Sequence, residues 1–414
     1  MNKKKEIVPK LRFPEFSKSH WGITRLNALA DKITERRGIT RLNALADKIT
    51  ERNKGDDTSR VFTNSATEGV VDQEEYFDRN IANKNNLTNY FVVEKGDYVY
   101  NPRISTTAPV GPISKNKLGI GVMSPLYTVF RFRNKENDFY EHFFLTNLWH
   151  AYIKKLSNTG ARYDRITISV DNFMKMPLPY TSPDEQQKIA DCLSSIDELI
   201  DAESRKLKVL EKYKKGLMQK LFPAEGKTLP EWRFPECKNT YEIKRKRLAD
   251  VCYYKSSALT TNDVKMDGKY NLYDANKIIG KVNIYASEDR YITIIKDGAG
   301  VGRVRLMDGY TNFVGTMGMI NNNEFVTIDY LYYLLQTIDF RVYAIGGTIP
   351  HIYFRDYSKK EIFLPHIGEQ QKIADCLSEI DTIITEQSNK VEQLKIHKKG
   401  LMQGLFPSLE EVDV

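Results

Sequence analysis

Four loop-like stretches carry the side chains that could do chemistry. Asn101-Pro-Arg-Ile-Ser-Thr-Thr107 and Asn158-Thr-Gly-Ala-Arg-Tyr-Asp-Arg165 lie in the first half, and Lys296-Asp-Gly-Ala-Gly-Val-Gly-Arg303 and Gly346-Gly-Thr-Ile-Pro-His351 in the second. They combine guanidinium forks, amides, hydroxyls and glycines. These groups read base edges and hold phosphates, a chemistry of recognition and not of bond breaking. The candidate contacts are Asn101, Arg103, Ser105, Thr106, Arg162, Tyr163 and Arg165 in the first half, and Lys296, Arg303, Arg305, Thr348 and His351 in the second. For each single side chain a plain solvated loop residue is the competing reading, so the expectation rests on the loops more than on their members.

Patterns for catalysis do not appear. Gly298-Ala-Gly-Val-Gly302 has neither the GxGxxG spacing nor the Lys-Ser/Thr ending of a P-loop, and reads as a tight strand connection. Asn101-Pro102-Arg103 lacks the aromatic that an adenine methylase motif requires. Asp184, Glu185 and Lys188 sit at a helix start, where capping explains them. The six His form no metal pair, and Cys237 and Cys252 have no second pair nearby. Cys192 and Cys376 read as small buried core residues. No catalytic, cofactor-binding or metal residue is expected.

The elements that must position the four loops are written twice. Glu185-Gln-Gln-Lys-Ile-Ala-Asp-Cys-Leu-Ser194 returns unchanged as Glu369 to Ser378, and the match runs without a gap to Leu221-Phe-Pro223 and Leu405-Phe-Pro407. Each copy reads as a long helix ended by proline. Ser182-Pro-Asp-Glu185 supplies a capping box at the start of the first. Apolar residues recur at steps of four and three: Ile189, Leu193, Ile196, Ile200, Leu207, Leu210, Leu217 and Leu221, then Ile373, Leu377, Ile380, Ile384, Val391, Leu394, Leu401 and Leu405. This is a coiled-coil seam, interrupted by Glu203 and Lys214 and by Gln387 and Lys398. Arg12-Phe-Pro-Glu15 matches Arg233-Phe-Pro-Glu236, which follows the first helix. The end of the second helix is therefore expected near residue 12, in a pseudo-two-fold, antiparallel pair.

The stretches before the helices share little identity. Each has strand-like runs, Tyr90–Val93 and Tyr291–Ile295 among them, and one helix, around Phe139 to Lys155 and around Tyr330 to Tyr343. The expected fold class is α+β: two α+β domains separated by a long intramolecular antiparallel two-helix coiled coil. Its segments are 1–180, 181–223, 224–365 and 366–414. Gly22 to Arg37 repeats as Gly38 to Asn53 with a single difference, Arg37 against Asn53. Leu248-Ala-Asp250 in the second half needs only one such copy, so the tandem duplication at 22–53 reads as an insertion or an artefact.

Composition sets wide limits. Hydrophobic residues make up 41% of 414, enough for globular folding in two or three domains. No apolar run is long enough to span a bilayer, and the basic N-terminus lacks an apolar stretch behind it, so no membrane partner and a cytoplasmic location are expected. A net charge of +8 permits a polyanion partner without demanding one.

Two variable stretches, each followed by a near-identical helix with Glu-Gln-Gln-Lys-Ile-Ala and Gly-Leu-Met-Gln-x-Leu-Phe-Pro, resemble the DNA-specificity subunit of bacterial type I restriction-modification systems. The entry segments and the Leu-Pro before each helix (Leu178-Pro179, Leu364-Pro365) also fit, and the 22–53 duplication departs from the pattern. The resemblance implies two target-recognition domains, each reading half of a split double-stranded DNA site, with the helices as spacer. It implies two methyltransferase subunits that supply S-adenosylmethionine and flip the target adenine. It also implies restriction-translocase subunits that use ATP and Mg, with no catalysis by this chain. Two alternatives belong to other classes: a coiled-coil adaptor with two protein-binding heads and no DNA, and a self-sufficient methyltransferase.

Overall fold

The computed structural model describes residues 9–17, 22–23, 38–54, 58–77, 87–159, 164–238 and 242–407. By contact the chain divides into unit 1, Met1–Ala202 with Glu392–Val414, and unit 2, Glu203–Val391.

Each unit is built on a four-stranded antiparallel sheet with the same strand order. In unit 1 it runs Ala46–Lys48, Thr128–Phe132, Tyr98–Tyr100, Ile113–Lys115. In unit 2 it runs Cys252–Ser256, Met317–Asn322, Tyr291–Ile295, Val304–Met307. The interior strands Tyr98–Tyr100 and Tyr291–Ile295 are buried at every position. That is why they read as continuous apolar runs and not as alternation.

The helix expected at Phe139 to Lys155 is two helices, Asp138–Phe144 and His150–Leu156. The break has a local cause. The Thr146 hydroxyl and N–H both donate to the Phe143 carbonyl, at 2.7 and 2.9 Å, and close the first helix. Unit 2 uses the same device. The helix Ile328–Gln336 is closed by the Thr337 hydroxyl on Leu334 O, and Asp339 caps a separate 3-10 turn at Phe340–Tyr343. The single helix expected there is thus also interrupted.

The long helices span Pro183–Leu221 and Ile367–Leu405. None of the sixteen seam residues is exposed; each is buried or half-buried. Packing within each unit is antiparallel. In unit 1, Ile189 and Leu193 share a core with Met402 and Leu405, while Lys398 Nζ reaches Asp197 at 2.6 Å. In unit 2, Leu221 shares a core with Ile373 and Leu377, while Lys214 Nζ reaches Asp381 at 2.8 Å. The polar seam positions are therefore paired. Lys214 and Lys398 exchange partners by the repeat offset, and the Gln387 amide donates to both the backbone and the carboxylate of Glu203.

The two entry motifs do the same work. Arg12 forks onto Glu185 at 3.0 and 2.9 Å, and Arg233 onto Glu369 at 2.9 and 2.6 Å, with both carboxylates almost fully buried. Glu15 pairs with Lys188, and Glu236 with Lys372. This corrects the capping box. The Ser182 hydroxyl accepts from Glu185 N at 3.4 Å, but the Glu185 side chain turns to Arg12 and Thr181 and not back to the cap. A buried carboxylate needs a cation more than a helix end needs a second cap. Leu11 N–H donates to Gly404 O, as Trp232 N–H does to Lys220 O. A Cβ at Gly404 would sit 2.4 Å from the exposed Leu11 side chain, which would have to move aside, and the equivalent position in the first helix is Lys220. The end of the second helix lies beside residue 12, as expected.

The duplication is resolved by burial. Gly38–Arg41 pairs with Pro177–Tyr180, as Lys244–Arg247 pairs with Glu361–Leu364. Leu42 is fully buried and donates to Met176 O, just as Leu248 does to Lys360 O. Leu42, not Leu45, therefore occupies the place of Leu248. The helical turn Leu42–Leu45 takes up the extra residues. Gly22–Ile23 pairs in parallel with Gly38–Ile39, so the start of the first copy lies beside its own duplicate. The second copy ends on Asn53, fully buried, whose amide donates to Thr58 O at 2.9 Å. Residues 24–37 lie outside the described residues. Cys192 and Cys376 are half-buried and not buried, since each flanks the seam and does not fill it.

Candidate nucleic-acid interface

In each unit the fold brings the two nominated loops together. In unit 1 the loop after Tyr98–Tyr100 meets the segment before Ile166–Thr167. Ile104 N–H donates to Asp164 O at 3.0 Å, Ile166 N–H to Pro102 O at 2.9 Å, and Arg103 bridges Arg165. In unit 2 the loop after Tyr291–Ile295 meets the segment 345–352. Gly298 N–H donates to Pro350 O and Ile352 N–H to Lys296 O, both at 2.9 Å, and Asp297 bridges His351. Arg165 and His351 each stand 14 residues before the proline of the Leu-Pro, Pro179 and Pro365. The two crossings are thus the same structural place with different residues.

The candidates divide by what already occupies them. Asn101 is half-buried, and its amide donates to Asn64 O while its carbonyl accepts from Arg103 N, so it shapes the loop. The Ser105 hydroxyl accepts from Ala108 N and contacts Thr107, which makes it a turn residue. Arg103 and Thr106 are exposed. Arg165 is also exposed, with Asp164 at 3.9 Å. Arg162 and Tyr163 lie outside the described residues.

In unit 2 Arg303 is held by Asn276 Oδ1 at 2.8 Å and by Ala275 O. Arg305 donates to Asn276 O at 3.0 Å. Both arginines therefore brace the turn at 274–277 against the crossing. Thr348 is exposed, Lys296 is half-buried beside Asp297 at 3.5 Å, and His351 Nδ1 lies 2.8 Å from Asp297 Oδ1. Gly346, at φ +94°, makes the tight return that lets Ile345 and His351 exchange backbone hydrogen bonds.

Sequence reasoning did not single out Asp297. Its signal was a carboxylate inside an otherwise basic and glycine-rich loop. It also passed over Ile345 and Ile349, which are 54% and 57% exposed beside the crossing. Their exposure is not visible in a sequence.

The profile of the Type I restriction modification DNA specificity domain matches residues 43–212 and 241–394. The chain belongs to this family. Each match contains one loop crossing, Arg103 with Arg165 or Asp297 with His351. The family's role is sequence-specific recognition of DNA. The chain is similar to the type I restriction enzyme MjaVIII specificity subunit of Methanocaldococcus jannaschii, 27% identical over 317 residues covering 69% of this chain and 73% of that one. It is also similar to the putative type I specificity subunit S.MgeORF438P of Mycoplasma genitalium, 22% identical over 255 residues covering 59% and 65%. The solved S subunit of a type I restriction-modification system from M. genitalium shares the fold, with a TM-score of 0.59 at 16% identity over 97% of this chain and all of that one. Among the described residues of this specificity-family chain, no helix is long and apolar enough to cross a membrane and no His, Cys, Asp and Glu group could hold a metal.

Proposed function

We propose that this chain reads a bipartite, asymmetric site on double-stranded DNA, one half per loop crossing. The observation that carries the reading is the repeated crossing itself: one frame built twice, with Arg103 and Arg165 at its tip in unit 1 and Asp297 and His351 in unit 2. Unlike tips on like frames suit unlike half-sites. Each long helix has 39 residues, or about 58 Å by helix rise. That length is of the order needed to space two sites about one B-DNA turn, about 34 Å, apart.

In this reading the chain itself catalyses nothing. Two methyltransferase subunits, supplying S-adenosylmethionine, dock on exposed helix faces, and restriction subunits using ATP and Mg complete the assembly. Support comes from the exposed helix positions Gln187 and Asp191, repeated as Gln371 and Asp375, which no core contact explains.

The test is to co-express the chain with its methylase and map methylated adenines. The expected result is one motif with two unlike halves and a fixed gap. Inserting a matched heptad into both helices should change the gap and leave the half-sites alone. A length variant that changes the bases and keeps the gap overturns the spacer reading. Loss of duplex affinity with rising salt should be steep, because phosphate contacts release counterions. No duplex binding even at low salt would favour the adaptor.

A further inference from the structure

We infer that His351, held in place by Asp297, reads an exocyclic amino group of adenine or cytosine in the half-site of unit 2. The inference rests on the DNA-reading function proposed above and names a residue and a base chemistry within it.

His351 is fixed through its backbone. Its main-chain N–H donates to Ile345 O at 2.8 Å, and Ile345 N–H returns the bond to His351 O at 2.9 Å. The residues before and after it are bonded to Gly298 and Lys296. The ring is fixed as well, with Nδ1 2.8 Å from Asp297 Oδ1 and Lys296 Nζ 3.5 Å from the other carboxylate oxygen. The orientation is therefore settled before any partner arrives, which spares the ordering cost that a free loop side chain meets on binding.

A carboxylate can only accept, so Nδ1 carries the hydrogen. In the neutral ring Nε2 is then a bare acceptor. The side chain is 40% exposed, so the ring is accessible to a partner while Nδ1 is held by Asp297. Phosphate oxygens are also only acceptors, so this tautomer has nothing to offer a DNA backbone. In the major groove the donors are the amino groups of adenine and cytosine, whereas guanine and thymine show acceptors at the corresponding positions. Ile345, paired with His351 through its backbone, and Ile349, two residues before it, are both exposed apolar neighbours in the chain. The equivalent place in unit 1 holds Arg165, a donor only, which suits guanine. The two halves thus differ in hydrogen-bond polarity at one shared position.

The test compares the full chain with its Asp297→Asn and His351→Ala variants, each co-expressed with the methylase, by the methylated motif and by competition with single-base variants of the target. Asn at 297 can accept from or donate to Nδ1, so it releases the tautomer while keeping the shape. The expected result is that one position in one half-site, fixed as adenine or cytosine in the unchanged chain, becomes mixed in both variants. Discrimination there should fall by about 2- to 10-fold, the worth of a single hydrogen bond. The other half-site should stay as it was, which shows that folding and DNA reading survive. The inference is overturned if both variants keep the full motif. It is also overturned if His351→Ala weakens all sequences equally, the mark of a phosphate contact by the protonated ring, or if the base that relaxes is guanine or thymine. Absence of any two-part motif in the unchanged chain would instead refute the proposed function itself.

Discussion

Units 1 and 2 share the plan of their frame and differ most where the frame ends. Both dock an Arg-Phe-Pro-Glu segment on the start of a long helix, Arg12 on Glu185 and Arg233 on Glu369. Both order their four central strands alike. Both brace a lysine of one helix against an aspartate of the other, Lys398 with Asp197 and Lys214 with Asp381. At the loop crossings nothing is shared but the backbone: two arginines in one unit, an aspartate-held histidine in the other. The lesson is a division of labour. Buried ion pairs and seam packing tolerate little change, so they are repeated. The crossing is supported by backbone hydrogen bonds, so its side chains can vary without disturbing the fold.

The aspartate brace shows a second contrast. In unit 2 Tyr333 donates its hydroxyl to Asp381 at 2.8 Å. In unit 1 His142 lies beside Asp197 but does not bond it: Nδ1 stays 4.0 Å away and is buried without a hydrogen-bond partner, while Nε2 is 3.1 Å from the Ser194 hydroxyl. Burial, with Lys398 adding repulsion, holds the His142 pKa down at about 4. The edge of the small sheet is a third contrast. Lys244–Arg247 leaves one edge to its own charges, while Gly38–Arg41 has Gly22–Ile23 beside it.

The largest expected effect would break the shared frame. Arg12→Ala and Arg233→Ala each leave a buried carboxylate without its guanidinium, and each should destabilise its unit by about 3–5 kcal/mol. Urea unfolding should show similar losses. If one variant were neutral, the two docking contacts would not be equivalent. Trp149, buried in unit 1, reports that unit by fluorescence.

The duplication gives a sharper test of the second copy. Deleting 22–37 or 38–53 yields chains that differ only in carrying Asn53 or Arg37 before Lys54. The first should keep soluble, binding-competent protein. The second places a guanidinium where a fully buried amide now bonds Thr58, and should cost about 2–3 kcal/mol. Equal stability of the two deletions would show that the site is open enough for either residue.

The smallest effect concerns acid. His142 is neutral in the folded unit, so as pH falls below about 6.5 the unfolded chain takes up the proton first. The stability is fully present above that pH and is lost progressively down to about 4, up to about 3 kcal/mol in all. His150, also lowered to about 4 by burial, adds in the same direction. A His142→Phe variant should show a flatter urea midpoint between pH 7 and 5 by Trp149 fluorescence. An unchanged slope would place the acid response elsewhere in the unit.

Much of the frame was legible because it obeys local rules. The seam spacing at Ile189 to Leu221 and Ile373 to Leu405 follows from helix periodicity, and every one of those positions is covered. The repeated Arg-Phe-Pro-Glu put residue 12 beside the end of the second helix. Helix interruptions at Thr146 and Thr337 were missed because a hydroxyl's choice between solvent and a carbonyl is decided locally and leaves no mark in apolar periodicity. The candidate loops were found, but several members changed meaning: Asn101, Ser105, Arg303 and Arg305 are spent on holding the loops themselves.

The sequence by itself determined the two-fold repetition, the long helices with their apolar seams and the four candidate loops, because repeats, heptads and glycine-rich turns are properties of neighbours along the chain. Only the tertiary structure decided that Arg103 faces Arg165 and Asp297 faces His351, which copy of the duplication fills the sheet beside Pro177–Tyr180, and which polar groups remain free to meet a partner. Those outcomes depend on contacts between residues more than 50 positions apart. Burial and hydrogen-bond satisfaction choose among them, and neither quantity exists until the chain has closed on itself.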